Sequence, residues 1–457
     1  MLSTAHHADV VIVGAGLAGL SAAHQLTGAG VTVMVLEAAG EVGGRMSTEH
    51  LDGFRLDRIG QLLSTSYPEL ARSPGLEGLG LSAFSPGVLV HSAGRHYRAG
   101  VPRSARGALA AARALASAPR GTARGAARGA ARGVPRSAVR GAPTPLGGAL
   151  DQARLGAALA RLATTPVERL LTRPELPIGA ALKTRGLPTR TLDGFVRPLL
   201  SALLCDPDLT TSSRCADLAL RGFARGRLCV PSGGASVLPE LLAAALPPGT
   251  VRTNVKVTSV ATTSVSTADH GVIGCRSLLL ATDARAAAEL LPGLRVPAFH
   301  PITVLHHTAP EPPLTDPALL LDADRAGPVA YTAVMSEVDP ARAPRGRALV
   351  SSTVLGTPPP DLEAAVLRHL AQLYGTSTDG WELLAVRHTP EAVPAMPAPH
   401  DVRRPVRVLA GLYVCGDHRD TSTVQGALYS GRRAAHAILS DLGRAAEPEV
   451  PAMGAAA

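Results

Sequence analysis

The chain has 457 residues, an apolar share of 46% and a formal net charge of +9, long enough for two or three domains around a sizeable core. No run approaches the ~18 continuous apolar residues of a spanning helix, and no signal peptide precedes the first apolar run near the N-terminus, so a cytoplasmic protein is expected. Five scattered cysteines (Cys205, Cys215, Cys229, Cys275 and Cys415) show neither a CxxC pair nor zinc spacing, so reduced, mostly buried thiols and no metal site are expected.

Aromatic residues make up only 3%, so the core must rest on Leu, Val and Ala. Lys183 and Lys256 are the only lysines, while arginine is abundant. Codon bias explains that pattern, which makes arginine number a weak functional signal.

The first element is the apolar run Val10 to Val13, suited to a buried parallel strand. Gly14, Gly16 and Gly19 follow as GxGxxG, and "LAGLSAAHQL" continues at helical spacing. In such a turn Gly14 permits the bend, Gly16 lets the backbone approach a pyrophosphate, and Gly19 lets helix and strand pack. The helix N-terminus adds free N–H groups and a partial positive charge. A second strand, "VTVMVLE", ends in Glu37, 18 residues beyond Gly19, where a carboxylate accepts hydrogen bonds from ribose hydroxyls. Strand, turn, helix, strand and acid in this order predict dinucleotide binding.

Just past that strand, "GEVGGRM" places Gly43, Gly44 and Arg45. This resembles the GG-R signature of the flavoprotein group containing amine oxidases, phytoene desaturases and protoporphyrinogen oxidases. The resemblance implies FAD, with Arg45 and the glycine backbone at the pyrophosphate, and no covalent-flavin cysteine motif appears, so the FAD is expected to be non-covalent. A guanidinium suits that role through its permanent charge and planar fork of donors.

Later blocks extend the resemblance, most closely to the phytoene-desaturase-like bacterial branch. "DGFRLDRIGQLLSTSYPEL" is similar to the segment that runs past the flavin ring, centred on Gly60 and Gln61. "VPSGGASVLPELLAAALPPGTVRTNVKVTSV" is similar to the stretch that returns the chain to the FAD domain. Its Asn254, Val257 and Val260 match N-x-x-V-x-x-V, and the resemblance puts the Val257 backbone at the adenine. "SLLLATDARAAAELL" reads as the strand and A-T-D turn that follow. In "GLYVCGDHRDTSTVQGALYSGRRAAHAIL", a strand ends at Gly416 and Asp417 and a helix starts around Val424. The resemblance implies that Asp417 bonds the ribityl or phosphate region. It also turns the helix N-terminus, with Val424 and Gln425, toward the flavin N1–O2 edge.

The implied fold is α/β: a Rossmann-type FAD-binding domain built from discontinuous segments (1–75, 223–292 and 405–457) with an interleaved α+β substrate domain (76–222 and 293–404). Between Glu77 and Asp151 lie eleven arginines and no acid; without them the charge of +9 falls to −2. Within 103–142, arginine recurs every four residues from Arg120 to Arg140, but interspersed glycines and Pro135 oppose a stable helix. A basic loop is the plain reading and an anionic-membrane patch the sharper one. Nucleic acid is not expected, because stacking aromatic residues are missing.

Flavin chemistry leaves few obligatory side chains, so no catalytic residue is assigned. Amine oxidases of the group show a lysine on a substrate-domain strand and a pair of caging rings. Here "HPITVLHHTAP" has no lysine, Val424 and Gln425 stand where a ring is often found, and Tyr429 is expected to pack. His306 and His307 should point to opposite faces of their strand, structural roles being favoured over a base. His418 and Arg419 are expected either to orient substrate or flavin or to face solvent. The expected function is an FAD-dependent dehydrogenase or desaturase that passes hydride from a hydrophobic small molecule to flavin N5. The alternatives are a peroxide-producing amine oxidase and a flavin-binding isomerase or scaffold without redox turnover. Electron acceptor and oligomeric state are not encoded in these motifs.

Overall fold

Val10, Val11, Ile12 and Val13 offer no polar side to water, and all four are buried in the strand His7–Val13. The computed structural model describes residues 7–100 and 146–444. The basic stretch 103–142 lies outside the described residues.

One eight-stranded sheet draws its strands from residues 7–36, 251–280 and 407–414. Its parallel part runs Val251–Arg252, Val33–Leu36, His7–Val13, Val272–Leu280, Leu412–Val414. Val13 is level with Leu36 on one side and Leu280 on the other, and Leu280 is level with Val414. The carboxyl ends of four strands therefore form one edge, where open α/β sheets bind ligands. The helices Leu17–Gly28 and Val424–Asp441 pack together on this sheet, the Ser21 hydroxyl donating to the Leu428 carbonyl at 2.9 Å. Small residues allow the approach: a Cβ on Gly431 would strike the Ala18 carbonyl.

The second sheet has seven strands, from residues 88–99 and 299–394. Their order is Glu382–Pro394, Phe299–Ala309, Ala348–Leu355, Val329–Val334, Leu320–Asp322, Val88–Ser92, Arg95–Ala99. Alternation divides its side chains between two cores. Leu320, Val350 and Val354 pack with Val366 and Leu370 of the helix Leu362–Tyr374. Leu319, Leu321 and Tyr331 join Leu199, Leu220 and Phe223 of the helices Arg197–Leu204 and Ser213–Arg225. A hydrophobic patch of Ile59, Ile302, Val304, Ala392 and Val393 brings this sheet against the segment that carries Gly60. The mixed α/β class read from the sequence is the class observed.

Candidate active site

The glycine loop is built at the end of His7–Val13. Gly14 has φ +105°, and a Cβ there would lie 2.9 Å from the Ala281 carbonyl oxygen. Its N–H donates to Leu36 O at 2.8 Å, so the turn is tied to the neighbouring strand. A Cβ on Gly19 would collide with the Gly14 carbonyl. Gly16 differs: a Cβ there would meet nothing within 4 Å, and the same holds at Gly44. No side chain caps the helix Leu17–Gly28, and no acid stands in its first turn. Its amino-terminal amides are thus left for an anion.

Glu37 faces this loop. One carboxylate oxygen accepts the Ala15 N–H at 2.8 Å and the other the Ala39 N–H at 2.9 Å. Gly43 adds its N–H to Ala15 O at 2.9 Å, so the GG turn lies beside the GxGxxG turn. Asn254 donates its N–H to Ala39 O and Val255 to Glu37 O. Val257 follows as a buried residue in the strand Val257–Ala261, opposite Thr267.

The Arg45 guanidinium donates to Asp417 Oδ1 at 2.7 Å and to Ala392 O at 2.8 Å. Burial works against its charge, but Asp417 and Asp283 together hold the arginine above its ordinary value. Gly416 has φ +140° and donates its N–H to the Ser430 hydroxyl at 3.1 Å. Of the pair after Asp417, His418 is buried and Arg419 is anchored on Pro405 O.

Gly60 and Gln61 stand where the two sheets meet. The Tyr331 hydroxyl donates to Gly60 O at 3.1 Å, and Gln61 N–H turns back to Ile59 O at 2.7 Å. Gly60, Tyr331, Thr353 and His306 line a small cavity of about 40 Å³. Both His306 nitrogens are engaged, with Ser351 Oγ at 2.9 Å and Asp57 O at 3.0 Å. A carbonyl only accepts, so Nε2 carries the proton and Nδ1 receives the serine's. Burial pushes this imidazole down to about 4. His306 therefore has no nitrogen left for a substrate, and its role is structural.

A larger cavity of about 390 Å³ opens beside the C-terminal motif. Leu171, Leu204, Leu218, Met396 and Val402 supply its apolar wall, with Thr423 and Gln425 from the start of the helix Val424–Asp441. Val424 is buried in the core beneath that helix. Gln425 accepts the Glu69 N–H at 3.0 Å. Glu69 in turn takes a two-pronged contact from Arg432, both distances 3.0 Å, with only 2% of the carboxylate exposed. Tyr429 is half-buried in the cavity wall rather than packed in the core. The guanidiniums of Arg432, Arg403 and Arg433 lie 5.0, 5.8 and 5.8 Å from its ring centre. Burial pushes the Asp420 carboxyl, also in this wall, up to about 6.

Open space over Gly16 and Gly44, uncapped helix amides, and an acid and an arginine on either side fit an FAD. The profile of the flavin containing amine oxidoreductases matches residues 17–439. The chain belongs to that family. It is 52% identical over 67 residues to putrescine oxidase from Kocuria rosea, a match covering 15% of this chain and 14% of that protein. To phytoene desaturase from Cercospora nicotianae it is 34% identical over 97 residues, 20% of this chain and 16% of the other. Each curated match thus spans well under two thirds of the relative. The fold is similar to that of cyclohexylamine oxidase from Brevibacterium oxydans IH-35A, with TM-score 0.65, 17% identity, and 96% and 100% of the two chains covered. Membership in this family carries a flavin cofactor and oxidoreductase chemistry.

Sequence reasoning brought Gly14, Gly16, Glu37, Gly43 and Arg45 to one edge of the sheet with Asp417. It missed the Glu69–Arg432 pair and the Asp57–Arg342–Asp339 cluster, in which Arg342 is 2% exposed and contacts Asp57 at 2.5 Å and Asp339 at 3.2 Å. No local spacing announces that Glu69 meets Arg432 or that Asp57 meets Arg342, pairs 363 and 285 positions apart in the chain. Cys215, Cys229, Cys275 and Cys415 are buried and Cys205 is half-buried, all as free thiols. No helix of the described residues is long and apolar enough to cross a membrane.

Proposed function

We propose that this chain is an FAD-dependent dehydrogenase of the desaturase type, acting on a hydrophobic small molecule in the 390 Å³ cavity. The observation that carries the reading is the cavity's charge. Arg72, Arg221, Arg403 and Arg432 line it against Glu69, Glu168 and Asp420. Asp420, raised to about 6 by burial, is still mostly ionised at neutral pH, so the four arginines exceed the three acids by one charge. Such a wall repels a diamine or polyamine cation.

When bound, the flavin supplies a hydride acceptor. The chain's own contribution is orientation and exclusion of water. The apolar wall holds a C–H bond in place, and the Thr423–Gln425 turn sets one limit of the space. Non-covalent attachment is supported by the cysteines: burial pushes Cys205, Cys215 and Cys229 up to about 12, far from the thiolate a thioether link requires.

An amine oxidase that releases peroxide is the second reading, favoured by the likeness to putrescine oxidase and cyclohexylamine oxidase. Anaerobic flavin bleaching, followed across a panel of amines and apolar metabolites, separates the two. The proposal expects bleaching by an apolar metabolite and none by mono-, di- or polyamines. Rapid bleaching by a common amine, with peroxide on readmitting oxygen, would establish the second reading instead. Contact of the basic stretch 103–142 with anionic membrane belongs to the same proposal; anionic liposomes should bind the full chain in a salt-sensitive way.

A further inference from the structure

On the second sheet, the strands Val88–Ser92 and Leu320–Asp322 run parallel, with His91 level with Asp322. The His91 ring is buried, 7% exposed, and among the described residues neither of its nitrogens has a hydrogen-bond partner. Its Nδ1 lies 4.0 Å from Asp322 Oδ1 and 3.9 Å from Asp324 Oδ2. These separations are too long for hydrogen bonds. Neighbouring donors around a tetrahedral ion with bonds of about 2.1 Å lie about 3.4 Å apart, so a shared ion would draw these side chains together by about half an ångström. The three donor atoms all lie within 4.8 Å of one another.

The carboxylates are held from behind. Asp322 accepts the Asp324 and Ala326 N–H groups, each at 2.9 Å, and its Oδ2 faces His369 Nε2 at 3.1 Å. His369 Nδ1 accepts the Val329 N–H, which puts the proton on Nε2. Asp324 accepts the Ser92 hydroxyl at 2.8 Å and the Ala93 N–H at 2.6 Å. Among the described residues, neither acid is paired with an arginine or lysine, although the Asp322 side chain is only 2% exposed. A buried carboxylate, Asp322, and an exposed one, Asp324, thus converge on an imidazole that has a free lone pair.

We infer that His91, Asp322 and Asp324 bind one divalent first-row transition-metal ion of the zinc class, with His369 as the positioning residue that orients Asp322. The ion's two positive charges offset the two carboxylates, and its bond to His91 satisfies the orphaned imidazole. An imidazole with two carboxylates suits zinc, manganese, cobalt or nickel better than magnesium or calcium. The site would tie the 88–99 hairpin to the turn after Asp322. That places it outside the residues that line the flavin edge, so its role is structural.

The test uses the full-length flavoprotein, freed of metal with a chelator, and zinc chloride as the probe. Competition with a chromophoric chelator, together with metal analysis, should give about one equivalent of zinc per chain, and melting temperature should rise with zinc. His91→Ala and Asp324→Asn should each abolish that equivalent and the thermal shift while leaving flavin content unchanged. Asp324→Asn, at an exposed site, covers the case in which His91→Ala folds poorly. His369→Gln should weaken zinc binding by about 10–100-fold. Cobalt substitution should show no thiolate charge-transfer band, which separates this site from the cysteines. No uptake by the unaltered chain, or equal uptake by the His91 and Asp324 variants, would overturn the inference.

Discussion

Arg45 and Asp417 stand 372 positions apart in the chain and 2.7 Å apart in space. One follows the strand Val33–Leu36, and the other follows Leu412–Val414, the last strand of the same sheet. The Arg45 side chain is 32% exposed and Asp417 only 8%, so the pair closes the edge while keeping one face toward the open side. Each residue is thus placed by the other before any cofactor is considered. In the flavin-free protein, Arg45→Met and Asp417→Asn should be non-additive in a double-mutant cycle of denaturant unfolding, with a coupling of about 0.5–3 kcal/mol. Both variants should also purify with less flavin, read from the absorbance near 450 nm. Additive stability losses would mean that the two residues act independently.

Glu37 has a double duty that the sequence motif does not reveal. Its two oxygens already take the Ala15 and Ala39 amides, so it shapes the loop, and the proposal adds a ribose to its remaining lone pairs. Glu37→Ala should weaken FAD binding by about 1.5–3 kcal/mol, the range for hydrogen bonds to a charged group. Glu37→Gln keeps one acceptor oxygen and should lose less. Reconstitution titrations of the flavin-free protein measure both. Unchanged affinity in both variants would reduce Glu37 to a strand-end charge.

Buried histidines set an acid limit. Burial pushes His306, His307 and His418 each down to about 4 from an ordinary value of 6.5. The unfolded chain takes up protons below about 6.5 and the folded chain resists until about 4. Stability is therefore full above the unfolded value and is lost as pH falls through that window, by up to about 3 kcal/mol per histidine. His307 offers the cleanest test, because neither nitrogen has a hydrogen-bond partner among the described residues and its ring lies 6.3 Å from Trp381, the sole tryptophan. His307→Phe should flatten the decline in urea midpoint between pH 6.5 and pH 4, as followed by Trp381 fluorescence. An unchanged slope would assign the acid sensitivity to other groups.

The parts of the site that were legible in the sequence are those written by local geometry. A strand, a glycine turn and a helix occupy consecutive residues, so Gly14, Gly16, Gly19 and Glu37 declare their places through spacing alone. Asp417 and the helix after it are local in the same sense. What spacing cannot carry is which distant side chains meet. Arg45 and Asp417 each read as a flavin contact, and nothing in either motif showed that they bond one another. Tyr429 read as core, because its guanidinium neighbours include Arg403 on a different segment. His91 and Asp322 are joined only by strand register, so neither the cysteine pattern nor any local motif pointed to them.

The glycine loop allows folding and cofactor binding to be separated, because its glycines are required for different reasons. Gly14 is required by the fold: its φ of +105° strains any side chain, and a Cβ would press on Ala281 O at 2.9 Å. Gly14→Ala should therefore destabilise the flavin-free protein, by about 1–3 kcal/mol from backbone strain alone. The fold sets no such requirement at Gly16, so the proposed pyrophosphate site is what would require a glycine there. The Gly16 backbone, at φ −76° and ψ 177°, suits any residue, and a Cβ there meets nothing within 4 Å. Gly16→Val should cost the flavin-free protein only about 1 kcal/mol, the loss expected where valine replaces a helix N-cap glycine. It should nevertheless weaken FAD binding tenfold or more, a loss of at least about 1.4 kcal/mol. Denaturant unfolding of flavin-free protein and FAD titration, run on both variants, give the four numbers needed. If Gly16→Val unfolds the chain while binding FAD normally, the open space over Gly16 is not where the pyrophosphate lies.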